Sequence, residues 1–374
     1  TFFQERNMYL LYDAISTLAE SAGEALERPE YLAALLPPLL SRWEALGDMD
    51  RNLIPILETL ASIGPALKGE QFVELGTSIF GRCLGMIETV LAVVPANVDD
   101  ETDTDFLVTA LDVLTGLAEG LGPHFPSLVT ASNLVELLPH CIALQHLNSA
   151  RQSTYALVGE MSKFCIAPMA SELPGIIEQM LGDICYDTGQ DAEYSIEDSN
   201  QNDCCNNAIW ALGKIGKVVG GPSMEPNMAS AMEKIGRAIV DQWAPTEIRI
   251  NGAVTMARFA LVCPETVSRM IEPYFPQFCL QLVKIRQKGE VTDGYKGLCV
   301  VLQANPQLGI RNFRFFAHAI VEGGKKGLPN EINQVLKKLL YGIQQNQGAN
   351  WDAFLSESGL HPAIQNKLAA FSQS

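Results

Sequence analysis

Amphipathic segments recur along the whole chain, and most of them end at glycine or proline. Within each segment apolar residues return every three or four positions, which is the period of a helix with one buried face. Strand-like alternation between hairpin turns is hard to find. The pattern therefore predicts an all-α protein with helices over 4–23, 29–46, 50–65, 70–94, 104–122, 127–144, 149–165, 168–184, 203–219, 223–242, 246–262, 265–286, 289–304, 306–322, 329–346 and 350–371.

Every second predicted helix has a similar core, seen in LLYDAISTLAESAG, PILETLASIGPAL, TALDVLTGLAEGLG, YALVGEMSKF, NAIWALGKIGKVVG and GAVTMARFALV. Equivalent points in these cores are Asp13, Glu58, Asp112, Glu160, Trp210 and Val254. The steps between them are 45, 54, 48, 50 and 44 residues, close to the HEAT-type helix pair of about 40–47 residues. Because one pair cannot bury its own apolar face, the pairs must stack. We predict a single HEAT-repeat α-solenoid over 1–374, a superhelical stack of antiparallel helix pairs.

The intervening helices carry internal prolines at 38, 139, 174 and 276. Proline kinks a helix, because it removes a backbone hydrogen bond and crowds the preceding turn. HEAT repeats tolerate such kinks in their outer helices. The proline-bearing helices are therefore predicted to form the outer layer, and the others to line an inner, concave face that binds extended partners.

Two segments, 96–105 (ANVDDETDTD) and 186–203 (YDTGQDAEYSIEDSNQND), interrupt the helical pattern. Both are acidic, polar and poor in apolar residues, a composition typical of disordered loops. We expect them to be solvated insertions, and a tolerated surface insertion explains them better than a functional segment does.

The chain is acidic, with 43 Asp and Glu against 26 Lys and Arg and a formal net charge of −17. A surface of this sign repels nucleic acid and anionic membranes and attracts basic partners. No apolar run approaches the length of a membrane span by inspection, and no signal peptide is visible at the first residue. Since the chain opens mid-helix in character (TFFQERNMYLLYDAIST), we expect a fragment of a longer protein.

The nine cysteines are odd in number, and most lie within apolar helical stretches. This indicates buried free thiols in the cytosol or nucleus rather than a disulfide framework. No C-x-x-C pair occurs and the five histidines lack ligand spacing, so no metal site is expected. Nucleotide-binding and hydrolase motifs are also missing from the sequence. We predict neither an enzyme nor a cofactor.

Carboxylates recur on the predicted inner helices. Asp13, Thr17 and Glu20 share a face of the first, beside an expected core stripe of Leu11, Ile15, Leu18 and Ala22. Asp112 and Glu119 occupy the same place on the third inner helix, and Glu58 on the helix between them. A single carboxylate on a helix is most simply a solvated surface charge. Because these carboxylates recur at equivalent positions of successive helices, a row of acids that binds Arg and Lys side chains of a partner is an equally good interpretation.

Trp210 takes the acid-bearing position on its helix, with Lys214 and Lys217 beyond it. A helical tryptophan more often belongs to the core. Here, however, Ile209, Leu212 and Ile215 already supply a core stripe, which leaves Trp210 on the inner face. An exposed tryptophan there would be a binding anchor.

Several long segments are similar to one known family: LLYDAISTLAES, RPEYLAALLPPLLSRW, FLVTALDVLTGLAEGLG, RQSTYALVGE, CNNAIWALGKI and NKLAAF. In these the chain resembles the C-terminal half of the transportin (karyopherin-β2) family of the importin-β superfamily. The resemblance implies a HEAT-repeat nuclear import receptor that shuttles between cytoplasm and nucleus. Its cargo would carry an extended basic or hydrophobic proline-tyrosine nuclear localisation signal. Ran-GTP and nucleoporins would be partners of the full-length receptor, with the Ran and Pro-Tyr sites N-terminal to this chain.

The resemblance also assigns roles to single residues. Asp13 and Thr17 would lie near the arginine of the signal, and Glu58, Asp112 and Glu160 would form the acidic lining. Trp210 and Val254 would form an apolar wall for the signal's N-terminal stretch.

Three positions depart from the family pattern. Glu160 replaces an aspartate and Val254 an isoleucine, and Asn202 stands where a wall isoleucine is expected. The departures favour the basic signal subclass. The alternative function is a HEAT-repeat scaffold subunit of a multiprotein complex, which would share the solenoid but not the acidic ladder.

Overall fold

The structure is a computed structural model that describes residues 8–93, 101–187 and 196–373. Over these residues the regular elements are helices and no strand occurs, which confirms the predicted all-α class. Short 3-10 turns occupy Gly23–Glu27, Arg51–Leu53, Gly64–Ala66, Glu70–Phe72, Gly122–His124, Glu272–Tyr274 and Gly348–Asn350. The α-helices are α1 (Met8–Ala22), α2 (Pro29–Ala45), α3 (Ile54–Ile63), α4 (Val73–Val93), α5 (Glu101–Leu121), α6 (Phe125–Thr130), α7 (Leu134–Ile142), α8 (Asn148–Met161), α9 (Ile166–Met169), α10 (Leu173–Gly182), α11 (Ile196–Val219), α12 (Gly221–Val240), α13 (Thr246–Val262), α14 (Pro264–Met270), α15 (Phe275–Leu282), α16 (Lys288–Ala304), α17 (Pro306–Arg311), α18 (Phe313–Gly324), α19 (Asn330–Gln347), α20 (Trp351–Glu357) and α21 (Pro362–Gln373).

The chain forms two compact units, Thr1–Met180 and Leu181–Ser374. In the first unit α1, α3, α5 and α8 contact one another in succession, while α4 and α7 pack behind α5 and α8. In the second unit the succession is α11, α13, α16 and α19, backed by α12, α14, α15 and α18. Within each unit the helices with the repeated core sequence therefore form one layer. This is the alternation that the sequence predicts.

Helices α3 and α5 approach each other closely because small residues face each other. A Cβ added to Gly116 would lie 2.6 Å from the carbonyl oxygen of Ala61, and one added to Gly120 would lie 2.1 Å from the carbonyl oxygen of Gly64. Only glycine permits this backbone approach. The contact fixes the separation of the two helices that carry Glu58 and Asp112.

The outer helices differ from the prediction. The expected continuous helices 127–144, 168–184, 265–286, 306–322 and 350–371 are each divided into two. Pro174 and Pro276 lie at the second position of α10 and α15, so they begin helices rather than kink them. Proline is favoured in a first turn, where its missing N–H has no helical partner. Pro38 and Pro139 do lie inside helices, as predicted.

The predicted loop over 186–203 is wrong in its C-terminal part. Helix α11 begins at Ile196, and Asn202 within it is buried. The Asn202 side-chain oxygen accepts a hydrogen bond of 2.8 Å from the Asp187 backbone N–H. Residues 188–195 lie outside the described part. The predicted loop over 96–105 is likewise helical from Glu101, and residues 94–100 lie outside the described part.

The buried face of α1 is displaced from the predicted stripe. Tyr12 and Ala19 are buried, whereas Leu18 is 61% exposed. Apolar residues lie almost all round this helix, so periodicity alone could not select its inner face. The backbone carbonyl of Tyr12 receives hydrogen bonds from Ser16 and Thr59, and the latter ties this face to α3.

Two helical stretches are long and apolar enough to cross a membrane, Glu70–Val93 and Thr104–Thr130, each with a mean hydropathy of 1.3. The expectation that no apolar run approaches that length was therefore wrong. Both stretches meet the requirement for a membrane span by length and composition alone, and the core helix of a soluble protein can meet it too. In the second stretch 72% of the apolar window is buried inside the protein. Its helix α5 contacts α3, α4 and α8.

Candidate partner-binding surface

Three carboxylates on successive helices of the first unit form an acidic cluster: Asp13 on α1, Glu58 on α3 and Asp112 on α5. Asp13 and Glu58 are exposed and Asp112 is half-buried. Burial raises the pKa of Glu58, and the negative charges of Asp13 and Asp105 raise it further. The three side chains therefore lie close enough to repel one another.

Asp112 is the most perturbed member of the acidic cluster. Burial raises its pKa from 3.8 to about 6, and the charge of Glu58 adds to the increase. A hydrogen bond with the Ser153 side chain on α8 opposes it. At neutral pH the protein thus holds a desolvated carboxylate beside a second one, an arrangement that a bound cation would relieve.

Side-chain hydrogen bonds fix α1 and α3 beneath the cluster. The Ser16 hydroxyl donates to the Thr59 hydroxyl at 3.2 Å, and Ser62 donates to a Glu20 carboxylate oxygen at 3.2 Å. Glu20, Thr17 and Glu119 are exposed. The structure therefore places the predicted residues of the first three inner helices on exposed or half-exposed positions.

The acidic cluster has no cationic partner among the described residues. The ion pairs found there are made by other carboxylates, for example Glu27 with Lys68 and Asp48 with Arg82. Asp13 and Glu58 are exposed to a partner, and Asp112 is half-buried and accepts a hydrogen bond from Ser153 but carries no opposite charge beside it. Carboxylates in this state suit the guanidinium and ammonium groups of an extended basic chain.

Glu160 departs from the predicted ladder. It is 7% exposed, and its carboxylate forms an ion pair with Lys163, three residues later in the turn that follows α8. The Lys163 ammonium group supplies the compensating charge for this buried carboxylate. The prediction that Glu160 is open to a basic partner is therefore corrected, because a lysine of the same chain already pairs with its carboxylate.

Val254 is also corrected. It is fully buried within α13, so it contributes to the core and cannot line a surface. One turn later, Arg258 donates to Asp293 on α16 at 3.0 Å, and Lys217 on α11 reaches the same carboxylate at 2.7 Å. Helix α13 packs between α11 and α16. Asn202, buried and bonded to Asp187, is not a wall residue either.

Trp210 lies on α11 and is half-buried. Its exposure is thus intermediate between that of a core residue and that of an exposed binding anchor. The ammonium nitrogen of Lys214 sits 4.5 Å from the centre of the indole ring, a cation–π contact. Neighbouring helices are drawn together here: the Thr255 hydroxyl donates to the Ile209 carbonyl at 2.8 Å, and a Cβ on Gly213 would collide with Thr255.

Sequence reasoning missed Asp105, Ser153 and the pairing of Lys163, Lys214 and Lys217. Asp105 is exposed on α5, seven residues before Asp112 and on the same helix face. Its spacing would have revealed it, had 96–105 not been assigned to a loop. Lys163 lies three residues from Glu160, a spacing that also signals a pair. The Lys217–Asp293 bridge spans 76 residues, and no local pattern predicts it.

The described residues include no group of three or more His, Cys, Asp or Glu side chains arranged to hold a metal ion. All nine cysteines are free thiols, and only Cys185 among them is exposed. Burial raises the pKa of the Cys83 and Cys141 thiols to about 12, which keeps them protonated and unreactive.

The chain matches curated proteins over nearly all of its length, although no protein-family model matches it. It is 31% identical over 378 residues to Transportin-1 of Homo sapiens and of Mus musculus, covering 99% of this chain and 40% of the relative. Transportin-1 of Oryza sativa subsp. japonica is 31% identical over 387 residues, again covering 40% of the relative. The chain thus spans about two fifths of the length of these relatives.

Among solved structures, a chain from a structure that describes Kap95p binding to RanGDP has a TM-score of 0.55 with 14% identity. The match covers 99% of this chain and 45% of that one. At 14% identity the structural similarity shows the fold alone, and it confirms the predicted HEAT-repeat α-solenoid class. Over 99% of its length the chain is 31% identical to the transportins, so it corresponds to a part of an importin-β family protein.

Proposed function

We propose that this chain is the cargo-binding part of a nuclear import receptor and that it binds extended basic nuclear localisation signals through the acidic cluster. Homology to the transportins supports a role in karyopherin transport. The finer assignment rests on the residues themselves. The signal would be of the proline-tyrosine type, with its arginine near Asp13 and Thr17 and its basic stretch along Glu58, Asp112 and Glu119.

The observation that carries the proposal is the unneutralised state of the acidic cluster. Burial and mutual repulsion raise the pKa of Glu58 and of Asp112, yet no lysine or arginine of the described chain pairs with either. Elsewhere the chain neutralises buried carboxylates internally, as it does for Glu160 and Asp293. A surface that leaves like charges together favours binding of a cationic partner over folding stability.

In the full-length receptor we expect Ran-GTP to control cargo release and nucleoporins to carry the complex through the nuclear pore. The receptor would then shuttle between cytoplasm and nucleus. Neither function requires catalysis, and no enzymatic activity is proposed for the chain. Kap95p, the structural relative described above, is described with RanGDP.

The test removes charge from the acidic cluster without changing its shape. Asp13→Asn, Glu58→Gln and Asp112→Asn together should weaken binding of an arginine-rich Pro-Tyr peptide about tenfold, because three charge-assisted contacts become neutral ones. Fluorescence anisotropy with a labelled peptide measures the change. Affinity for the unaltered chain should also fall as salt rises, since screening acts over about 8–10 Å at these ionic strengths.

The matched control is Glu74→Gln, Glu136→Gln and Glu178→Gln. These three carboxylates are exposed in the same unit, on α4, α7 and α10, and their replacement changes the net charge by the same amount. The control should change affinity less than twofold to threefold at physiological salt, by screening alone. Equal losses for the two triple variants would mean that only net charge matters. Failure of any basic peptide to bind the unaltered chain would favour the scaffold alternative.

A further inference from the structure

The last part of the chain carries a charge opposite in sign to that of the whole. Residues 284–374 hold 11 Lys and Arg against 6 Asp and Glu, whereas the whole chain holds 26 against 43. Such an asymmetry indicates a local surface that attracts anionic partners on a protein that otherwise repels them. In the structure part of this positive charge is concentrated where two interhelical loops of the second unit meet.

A lysine holds these two loops together. The Lys326 ammonium group, in the loop after α18, donates a hydrogen bond of 2.5 Å to the backbone carbonyl of Ile285, in the loop between α15 and α16. Burial lowers the pKa of Lys326, the negative charge of Glu322 opposes this, and the positive charge of Arg286 lowers the pKa further. Two cations on different loops are therefore held close enough to repel each other.

One carboxylate, that of Glu322 in the last turn of α18, lies among these cations. Lys325 donates to both of its oxygens, at 2.5 and 2.7 Å, and this contact lowers the pKa of Glu322. The positive charges of His318 and of Lys367 on α21 lower it further. No other carboxylate of the described residues forms an ion pair with these lysines or with Arg286. The basic cluster, four cations around one acid, comprises Arg286, Lys325, Lys326 and Lys367.

The basic cluster is open to a partner. Arg286, Lys325 and Lys367 are exposed. A Cβ added to Gly289, at the start of α16, or to Gly327, after the two lysines, would meet no heavy atom within 4 Å. Open space therefore lies beside both loops, and a peptide chain can approach them.

An acidic peptide segment fits the basic cluster better than a nucleic acid or an anionic membrane does. Polyanions of that size extend beyond four side chains and would meet the rest of the protein, where residues 1–283 hold 37 Asp and Glu against 15 Lys and Arg. The loop segments 283–289 and 325–329 contain no aromatic residue on which an unpaired base could stack. The carboxylates of a short segment can instead pair singly with lysine and arginine.

We propose that the basic cluster binds an acidic peptide segment, rich in Asp and Glu, of a partner protein. The planar guanidinium of Arg286 can hold one carboxylate through two parallel hydrogen bonds, and Lys325 and Lys367 supply point charges for others. This role goes beyond the proposed function and does not depend on it, because basic signals and acidic segments would bind different residues.

The test uses the full chain and a labelled peptide in which glutamate alternates with glycine. Arg286→Gln together with Lys367→Gln should weaken binding about tenfold at about 150 mM salt, because each exposed charge pair lost costs about threefold. The Lys325–Glu322 pair and the hydrogen bond of Lys326 remain in this variant. Fluorescence anisotropy measures the affinities, and thermal unfolding shows whether the fold is kept.

The matched control is Arg269→Gln together with Arg314→Gln. It removes the same charge from exposed positions on α14 and in the first turn of α18, and should change affinity less than twofold at the same salt. Glu322→Gln acts in the opposite direction: it removes the negative charge within the basic cluster and should strengthen binding about threefold. Glu357→Gln, an exposed acid on α20, changes the net charge equally and should have little effect.

Equal losses for the two double variants would mean that net charge alone attracts the peptide, and the basic cluster would be refuted as a site. Absence of binding to the unaltered chain would refute it as well. A single-stranded RNA of the same charge is the second probe. If the RNA bound more tightly than the peptide and lost affinity in the Arg286 and Lys367 variant, the ligand would be a nucleic acid and the assignment of an acidic peptide would be overturned.

An arginine-rich Pro-Tyr peptide separates this surface from the proposed function. It should bind the basic-cluster variants as tightly as it binds the unaltered chain. Loss of acidic-peptide binding with that affinity unchanged supports two independent surfaces. Absence of acidic-peptide binding beside normal binding of the Pro-Tyr peptide refutes only the basic cluster, and the converse result refutes only the proposed function.

Discussion

Replacing Gly120 by alanine is expected to lower the free energy of unfolding by about 3 kcal/mol. The new Cβ would lie 2.1 Å from the carbonyl oxygen of Gly64 and 3.2 Å from that of Leu67. Both are backbone atoms, so no side chain can rotate away, and the helix α5 must move from its partner. Overpacking of this kind costs roughly 1–3 kcal/mol and more where backbone must shift. Urea denaturation followed by circular dichroism measures the loss.

Gly85→Ala on α4 is the matched control. An alanine Cβ at that position meets no heavy atom within 4 Å, so only the helix preference for alanine over glycine remains. That preference should stabilise the protein by about 0.5–1 kcal/mol. The two variants therefore change stability in opposite directions. If Gly120→Ala were as stable as the unaltered chain, the close approach of α3 and α5 would be absent.

The same contact links the fold to the acidic cluster. Glu58 lies on α3 and Asp112 on α5, and the charge of Glu58 helps to raise the pKa of Asp112. Separating the helices at Gly116 and Gly120 would also separate these carboxylates. The glycines thus explain why two acids that repel each other remain neighbours: the packing that holds them is stronger than their repulsion.

The inner helices could be predicted from the sequence because each is a long, uninterrupted amphipathic segment. The predicted range 246–262 is that of α13, and 149–165 overlaps α8 closely. The outer helices could not be predicted as well. Their breaks fall at short turns such as Ala131–Asn133, between α6 and α7, where apolar periodicity continues across the turn.

The site could be predicted only where local pattern decides exposure. Glu58 and Asp112 each lie beside the stripe that packs their helix, so their position follows from the sequence, whereas the apolar residues almost all round α1 leave the exposure of Asp13 undecided. Val254 obeys the same rule yet is buried in α13, which packs between α11 and α16. Tertiary contacts of that kind join residues far apart in the chain, and a helical period carries no information about them.

Asp112→Asn is expected to stabilise the fold by about 2 kcal/mol at pH 7.5 while it weakens binding of a basic peptide. The folded-state pKa of Asp112 is raised from 3.8 to about 6, chiefly by burial. Each unit by which a pKa differs between the folded and unfolded states corresponds to about 1.4 kcal/mol. Because the folded pKa is the higher one, the native state binds more protons between about pH 4 and 6, and the contribution of Asp112 to stability falls as pH rises through that window. Asparagine keeps a hydrogen-bonding group near Ser153 without the charge.

The effect of Asp112→Asn on the free energy of unfolding should depend on pH. The stability advantage of Asp112→Asn should be present at pH 7.5 and should fall through about pH 6 to 4, because the carboxyl of the unaltered chain becomes protonated first in the folded state and, only below about pH 4, in the unfolded state as well. Asp203→Asn, which removes an exposed acid on α11, is the control and should change stability by less than about 0.5 kcal/mol. Denaturation at several pH values gives the stabilities, and peptide anisotropy at pH 7.5 gives the affinities. A gain in stability with a loss in affinity would mean that Asp112 is kept charged for a partner at the expense of the fold. A loss in stability at pH 7.5 would instead show that the carboxylate contributes to folding through Ser153, and Asp112 would leave the proposed binding surface.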